Sequence, residues 1–194
     1  GYTSRMHAKK SFTVRVNGKR YILERSGNNG GVKNRLAMKA YQLAGLNAPD
    51  TESVGLFIND EYIGCYNFIY DYEESSFKSL HGTKYVEAFK CYFKDMGSDI
   101  PLHSLSEKKF PDDNNFTTLE YLIYAASGMN DSAWIDFVMK YVDIDRFVSY
   151  MAVHDFLAVR DTHITNFYIF NYGKYYFLPW DHESCLTLGT GTLG

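Results

Sequence analysis

The sequence predicts an α+β fold in two unequal parts, and three observations lead there. Alternating strands joined by tight turns fill residues 11–70, with one helix among them. Helical periodicity dominates from Thr118 to about Val159. A hairpin follows that stretch, close to the end of the chain.

Ser11 to Val16 reads as a strand, with Phe12, Val14 and Val16 on one face and Thr13 and Arg15 on the other. Asn17-Gly18 is a two-residue hairpin turn, and Tyr21 to Leu23 is the return strand. The Gly- and Asn-rich stretch from Ser26 to Gly31 leads into a helix from about Val32 to Ala44. Leu36, Ala40, Leu43 and Ala44 recur on it at helical spacing, and Gly45 supplies a stop. Val54 to Ile58 and Tyr62 to Ile69 form a second strand pair around Asn59, Asp60 and Glu61. Tyr70 to Glu74 leaves the sheet as a polar connector. From Ser75 to about Pro111 no single period stands out, and the stretch reads as short pieces and loops. Pro111 to Asn115 is a loop.

Thr118 is placed to cap a helix running to Ala126, and Asp131 a second through Tyr141. Asp143 caps the strongest helix, Ile144 to about Val159, with Phe147, Met151 and Ala158 on one stripe. Phe167 to Phe170 and Tyr175 to Leu178 then pair around Asn171 to Gly173. No internal repeat or low-complexity segment is visible. The organisation expected is one domain over residues 1–194, with a strand-rich part at 1–70 and a mainly helical part at 75–194. The start at Gly1 and the glycines at 189, 191 and 194 are expected of a piece truncated at both ends.

At 194 residues and 45% hydrophobic, the chain can bury a sizeable core. Aromatics reach 17%, which strand and core packing explains. A net charge of −3 argues against a nucleic-acid binder, which carries a basic excess. Cys65, Cys91 and Cys185 lack the spacing of a zinc knuckle and are an odd number for a disulfide framework. The six histidines show no metal-protease spacing, which excludes a zinc hydrolase of that kind. No apolar run approaches the ~20 residues that span a bilayer. No charged-then-apolar leader is present either, so localisation is not legible in this chain.

The chemistry concentrates in Asp161-Thr-His-Ile-Thr-Asn166 and in Leu178-Pro-Trp-Asp181. Phosphoryl transfer needs a carboxylate at the attacking hydroxyl, and an amide oxygen and second carboxylate to hold Mg²⁺ against the phosphates. With 14 Asp and 12 Asn in the chain, about one Asp-x4-Asn pair is expected by chance, so the flanking order has to decide. A protein kinase places a sheet and lone helix first, then a helical lobe whose long helix delivers the catalytic loop. A hairpin then leads to the metal-binding Asp. Here helix 144–159 ends just before Asp161, and the hairpin separates Asn166 from Asp181 while bringing both to one edge. Asp161 is the candidate for orienting the hydroxyl or accepting its proton. Asn166 and Asp181 are the candidate Mg²⁺ ligands. The plainer alternative is that Asp161 caps a turn, Asn166 starts a strand and Asp181 ends one. The usual His-Arg before the first Asp and Phe-Gly after the second are absent. The expected fold is therefore an atypical protein-kinase-like, two-lobed one.

Four passages resemble the spore coat protein H (CotH) kinase family. Gly1-Tyr-Thr-Ser-Arg5 with Lys9-Lys-Ser-Phe12 is similar to its Gly-x-Ser-Ser…Lys-Lys-Ser-Tyr opening. Lys33-Asn-Arg-Leu-Ala37 with Gly45-Leu-Asn-Ala-Pro49 is similar to its first helix, and Phe57-Ile-Asn-Asp-Glu-Tyr-Ile-Gly64 to its Tyr-Ile-Asn-Gly-Glu-Tyr-Tyr-Gly hairpin. Asp161…Asn166-Phe-Tyr-Ile-Phe170 and Phe177-Leu-Pro-Trp-Asp181 resemble its ending, and this last pair is the most specific. The resemblance implies a secreted, cell-surface or spore-coat kinase that uses ATP and Mg²⁺ or Mn²⁺ to phosphorylate Ser residues of proteins. It implies Asp161 as the catalytic aspartate and Asn166 and Asp181 as metal ligands. Glu183 stands where the family has a second Asp, and is a further metal candidate with longer reach. Tyr70 stands where the family often has Glu.

Lys10 is the candidate phosphate-contacting lysine, since it leads into the first strand and matches the family's second lysine; Lys9 rivals it chemically. The helix 32–44 contains no acidic residue, so an ordinary kinase Lys–Glu pair cannot form from it. Glu24 or another acid would have to serve. Gly1 to Ser4 is a candidate phosphate-covering turn, and Lys33 and Arg35 are either phosphate contacts or a solvated face. Tyr70 to Tyr72 is the expected adenine-side hinge, with Tyr72 as a possible stacking ring. Trp180 is expected to pack the hairpin, and His163 and His182 to flank the site. The leading function is an ATP- and Mg²⁺-dependent protein kinase acting on Ser or Thr. The alternatives are an inactive kinase-shaped coat or surface binding protein, and a protein nucleotidyl transferase.

Overall fold

The computed structural model describes residues 10–25, 30–91, 106–159 and 166–186. Within them, two four-stranded antiparallel sheets and five helices make a mixed α+β architecture. The first sheet contains β1 (Phe12–Val16), β2 (Lys19–Arg25), β3 (Thr51–Ile58) and β4 (Glu61–Tyr70), in the order β1-β2-β4-β3. Its two hairpins turn on residue pairs that accept positive φ: Asn17 and Gly18 at 51° and 79°, Asn59 and Asp60 at 50° and 65°. That handedness matches the twist of the strands they join.

Helix α1 (Gly30–Leu43) lies where the sequence places it, but turned about its axis. The expected stripe included Leu36 and Leu43, yet these are 50% and 79% exposed. The buried stripe is Asn34, Ala37, Met38 and Tyr41. Counting apolar letters misses it because one of its members is a carboxamide, which can be buried once its donors and acceptor are matched.

The stretch read as short pieces and loops contains α2 (Glu74–His81), β5 (Glu87–Cys91) and β6 (Ser106–Phe110). With β7 (Phe167–Asn171) and β8 (Tyr175–Pro179), these strands form the second sheet, ordered β6-β5-β7-β8. Strand β5 is covered on both faces, so it shows no alternation, and its partner β7 lies far along the chain. Strand β6 reads as polar, but its Lys108 is buried against Glu87 at 2.8 Å.

Three helices complete the fold: α3 (Thr117–Gly128), α4 (Asp131–Tyr141) and α5 (Ile144–Phe156). Asp143 caps α5 as expected, its carboxylate accepting from Arg146 N at 3.3 Å. The other two expected caps move. Asn130, not Asp131, caps α4 by accepting from Ala133 N at 3.0 Å. Thr118 lies inside the first turn of α3, where its hydroxyl donates to Glu87. Helix α5 stops at Phe156, and Ala158 takes a positive φ of 47°.

The second sheet is the middle layer. One face meets Ile22 and Ile69 of the first sheet and Phe77 of α2, through Ala88, Tyr168, Phe170, Tyr176 and Leu178. The opposite face, with Phe89, Cys91, Ile169 and Tyr175, packs under Leu119 of α3 and Phe137 of α4. A third cluster joins Ala37, Met38 and Tyr41 of α1 to Tyr150 of α5, Leu157 and Cys185. All three cysteines are free thiols. Among the described residues no helix is long and apolar enough to cross a membrane.

Phe170 is fully buried, with its ring 4.3 Å from that of Phe77. Phe170→Ala is expected to cost about 3–5 kcal/mol of unfolding free energy, read from the shift of a urea melt at unchanged slope.

Candidate functional site

The hairpin β7–β8 pairs Phe167 with Pro179, which sets Asn166 and Asp181 at its two open ends. The Asn166 carboxamide donates to the main-chain carbonyl of Asp181 at 3.4 Å. Both residues sit in the left-handed region, at φ 67° and 54°. Asn and Asp tolerate that region better than most side chains, and such conformations persist where the surroundings hold them. Asp161 lies outside the described residues, as do Gly1 to Ser4, Lys9 and His163.

Beyond the hairpin, Asp181 and Glu183 meet Glu24 of β2. The three carboxylates each bring one oxygen to within 4.8 Å of the others. They line a cleft of about 200 Å³ between the first sheet with α1 and β5 with the segment after β8. Ile22, Met38 and Ile69 form its apolar wall; Lys90, Arg25 and Trp180 complete much of the rest.

The position of Glu24 follows from the register of the first sheet. Glu24 pairs with Asn67 and Ile22 with Ile69, so all four share the face that meets α1 and the second sheet. Glu24 Oε2 accepts from Asn67 Nδ2 at 3.0 Å and from Asn34 Nδ2 at 3.1 Å. Asn34 in turn accepts from His182 N at 3.0 Å through its own carbonyl oxygen. One buried carboxamide on α1 thus ties together β2 and the chain beyond Asp181.

Electrostatics set this group apart. Burial raises the Glu24 carboxyl above its ordinary range, against the two amide donors, and the Glu183 charge adds to the rise. Burial, then the Glu24 and Glu183 charges, push Asp181 up to about 7. Asp181 Oδ1 is fully buried with no hydrogen-bond partner among the described residues. A desolvated, unmatched carboxylate oxygen facing two further carboxylates is a set of ligands that could hold a hard divalent cation. Burial holds the neighbouring His182 down to about 3, so it is a neutral imidazole. It lies against Tyr41 with centroids 5.3 Å apart.

The structure brings Asp181 and Glu183 together in the cleft and ties Asn166 to the first of them. Lys10 is exposed, one residue ahead of Ser11 at the rim. Tyr70 points to the opposite face of the first sheet, where it stacks edge-on with Tyr21 and donates to Glu52. The Tyr72 hydroxyl donates to Pro179 O at 2.8 Å, and its ring packs on Tyr168 and Trp180. Neither tyrosine lines the cleft. Trp180 packs the hairpin edge-on to Tyr168 and also forms part of the cleft wall. Arg35 reaches Ser53 at 3.3 Å on the exposed side.

Sequence reasoning missed Asn34, Asn67 and Lys90 and treated Glu24 only as a partner for a lysine. All four are polar residues beside core positions on the same face of their element: Ile22 next to Glu24, Ile69 next to Asn67, Ala88 next to Lys90, and Ala37 and Met38 next to Asn34. That mismatch is the one signal present in the letters.

The chain matches the model of the family described as CotH kinase protein over residues 1–191, and it belongs to that family. No curated protein matches it.

Two outcomes follow from this geometry. Asn34→Ala removes a donor to Glu24 and the acceptor for His182 N. It is expected to cost about 1–3 kcal/mol of stability in a urea melt. Because the Asp181 carboxyl binds its proton more tightly folded than unfolded, its contribution to metal-free stability is full below the unfolded pKa near 4. That contribution is lost as pH rises to about 7. If the cluster binds Mg²⁺, the ion is expected to raise the melting temperature more at pH 8 than at pH 5.5, and Asp181→Asn to shrink that difference.

Proposed function

Starting from membership of the CotH kinase protein family, we propose that the chain is an ATP- and divalent-metal-dependent protein kinase. It transfers the γ-phosphoryl group to Ser or Thr hydroxyls of proteins, from a two-lobed fold. The observation that carries this reading is the gathering of Glu24, Asp181 and Glu183 in one cleft, beside a hairpin whose other end is Asn166. The family match supports the kinase class, and the substrate and nucleotide are the finer part of the proposal.

Asp181, Glu183 and Asn166 would hold the metal, with Glu24 as an added carboxylate. When bound, the cation neutralises phosphate charge as the transfer proceeds. The fit rests on the orphaned Asp181 Oδ1 and on an all-oxygen donor set. Asp161 would orient the acceptor hydroxyl and take its proton as the oxygen–phosphorus bond forms. The bond from the γ-phosphorus to the bridging oxygen then breaks, and ADP leaves. Asn34 and Asn67 keep Glu24 aimed at Asp181 and so preorganise the cluster. Ile22, Met38 and Ile69 offer an apolar wall to the base. With the rings of Tyr70 and Tyr72 engaged elsewhere, recognition by residues 70–72 would fall to main-chain groups.

The test uses ATP labelled separately at the α and γ positions, with Mg²⁺ or Mn²⁺. The acceptors are the chain itself and a peptide library rich in Ser and Thr. The expected result is γ label incorporated by the native chain and lost in both Asp161→Ala and Asp181→Ala, by about a hundredfold or more. Incorporation of α label would mean nucleotidyl transfer instead. No label, together with no thermal shift on adding ATP and metal, would sink the enzymatic reading.

A further inference from the structure

Lys90 stands where the logic of its strand calls for an apolar residue. In β5, Phe89 and Cys91 face the layer under α3 and α4, whereas Ala88 faces the first sheet. Alternation puts Lys90 on the Ala88 side, opposite Tyr168 in register. At this end of the sheet the apolar layer gives way to the cleft, and Lys90 is part of the cleft wall. Its ammonium lies 4.9 Å from the centroid of the Trp180 ring, one residue before Asp181. Lys90 is half-buried there, with Glu107 opposite it in register on β6.

We propose that Lys90, on the second sheet, is the cation that grips the phosphate chain of the nucleotide, in place of Lys10. This rests on the kinase reading. Three carboxylates in one cleft repel a polyphosphate. A divalent cation held on those carboxylates, together with the Lys90 ammonium on the same wall as Asp181, would reverse that field. Lysine suits this task, being a compact charge with three donors on a flexible stem. The Trp180 face packs against the ammonium. Burial, then Lys109, favours the neutral amine, while the Asp181, Glu107 and Asp71 carboxylates favour the charged one. Lys10 is exposed and absent from the cleft wall. Helix α1 carries Asn34 in place of an acid, so the helix-to-lysine ion pair of ordinary kinases has no counterpart there.

The test is calorimetric titration of the whole chain with ATP in excess Mg²⁺, alongside titration with Mn²⁺ alone. Lys90→Met and Lys90→Gln are each expected to weaken ATP roughly 10- to 100-fold, the loss of one charge-assisted contact. Mn²⁺ affinity is expected to stay within about twofold, and Lys90→Arg to recover most of the ATP affinity. Lys10→Met is expected to bind ATP like the native chain. Native ATP affinity in both neutral variants overturns the proposal. So does a loss of Mn²⁺ binding in parallel with ATP, which marks Lys90 as structural, or unfolding of both neutral variants. A native chain that binds Mn²⁺ but no ATP overturns the kinase reading itself, and this assignment falls with it.

Discussion

The crowding of carboxylates around Asp181 sets the terms for its surroundings. Two of the three, Glu24 and Asp181, are taken largely out of water, where like charges repel strongly and each ion loses its hydration. Left alone, such a cluster would push β2 away from the segment after β8. The fold opposes this with two carboxamides on Glu24 and with Lys90 beside Asp181. These groups come from three separate elements, α1, β4 and β5. The first sheet, α1 and the second sheet all contribute to the wall of the cleft.

That arrangement gives the second sheet two duties. Its apolar faces supply the layers against the first sheet and against α3 and α4, while one end of it lines the cleft. Rigidity in one serves placement in the other. Tyr72 illustrates the division. Its ring is part of the packing against Tyr168 and Trp180, and its hydroxyl pins Pro179, just ahead of Asp181. A residue chosen from the letters as a ligand contact holds the scaffold of the site.

Local pattern was legible wherever turns and periods were local. Asn17-Gly18, the two strand pairs, Asp143 and the β7–β8 hairpin all stand close to where the letters put them. The segment 75–111 was not, because β5 finds its partner only at β7 and is covered on both sides. The face of α1 was misread for a related reason. Its burial is decided by α5 and by Glu24, and neither is visible from within the helix. The same divide runs through the site. Asn166 and Asp181 are joined by one hairpin and could be paired by eye. Glu24, Asn34, Asn67 and Lys90 converge only through registers and packing across most of the chain.

The Asn34 carboxamide also has a sense of direction. Its amino end meets an acceptor on Glu24 and its oxygen end meets a donor at His182. Turned by half a revolution, it would set donor against donor and acceptor against acceptor. A charged pair tolerates sliding and tilting, because attraction between point charges has little angular preference. A carboxamide wedged between opposite polarities does not. The rolling of α1 about its own axis is therefore keyed to both walls of the cleft at once, so the helix seats in one orientation or loses both contacts together.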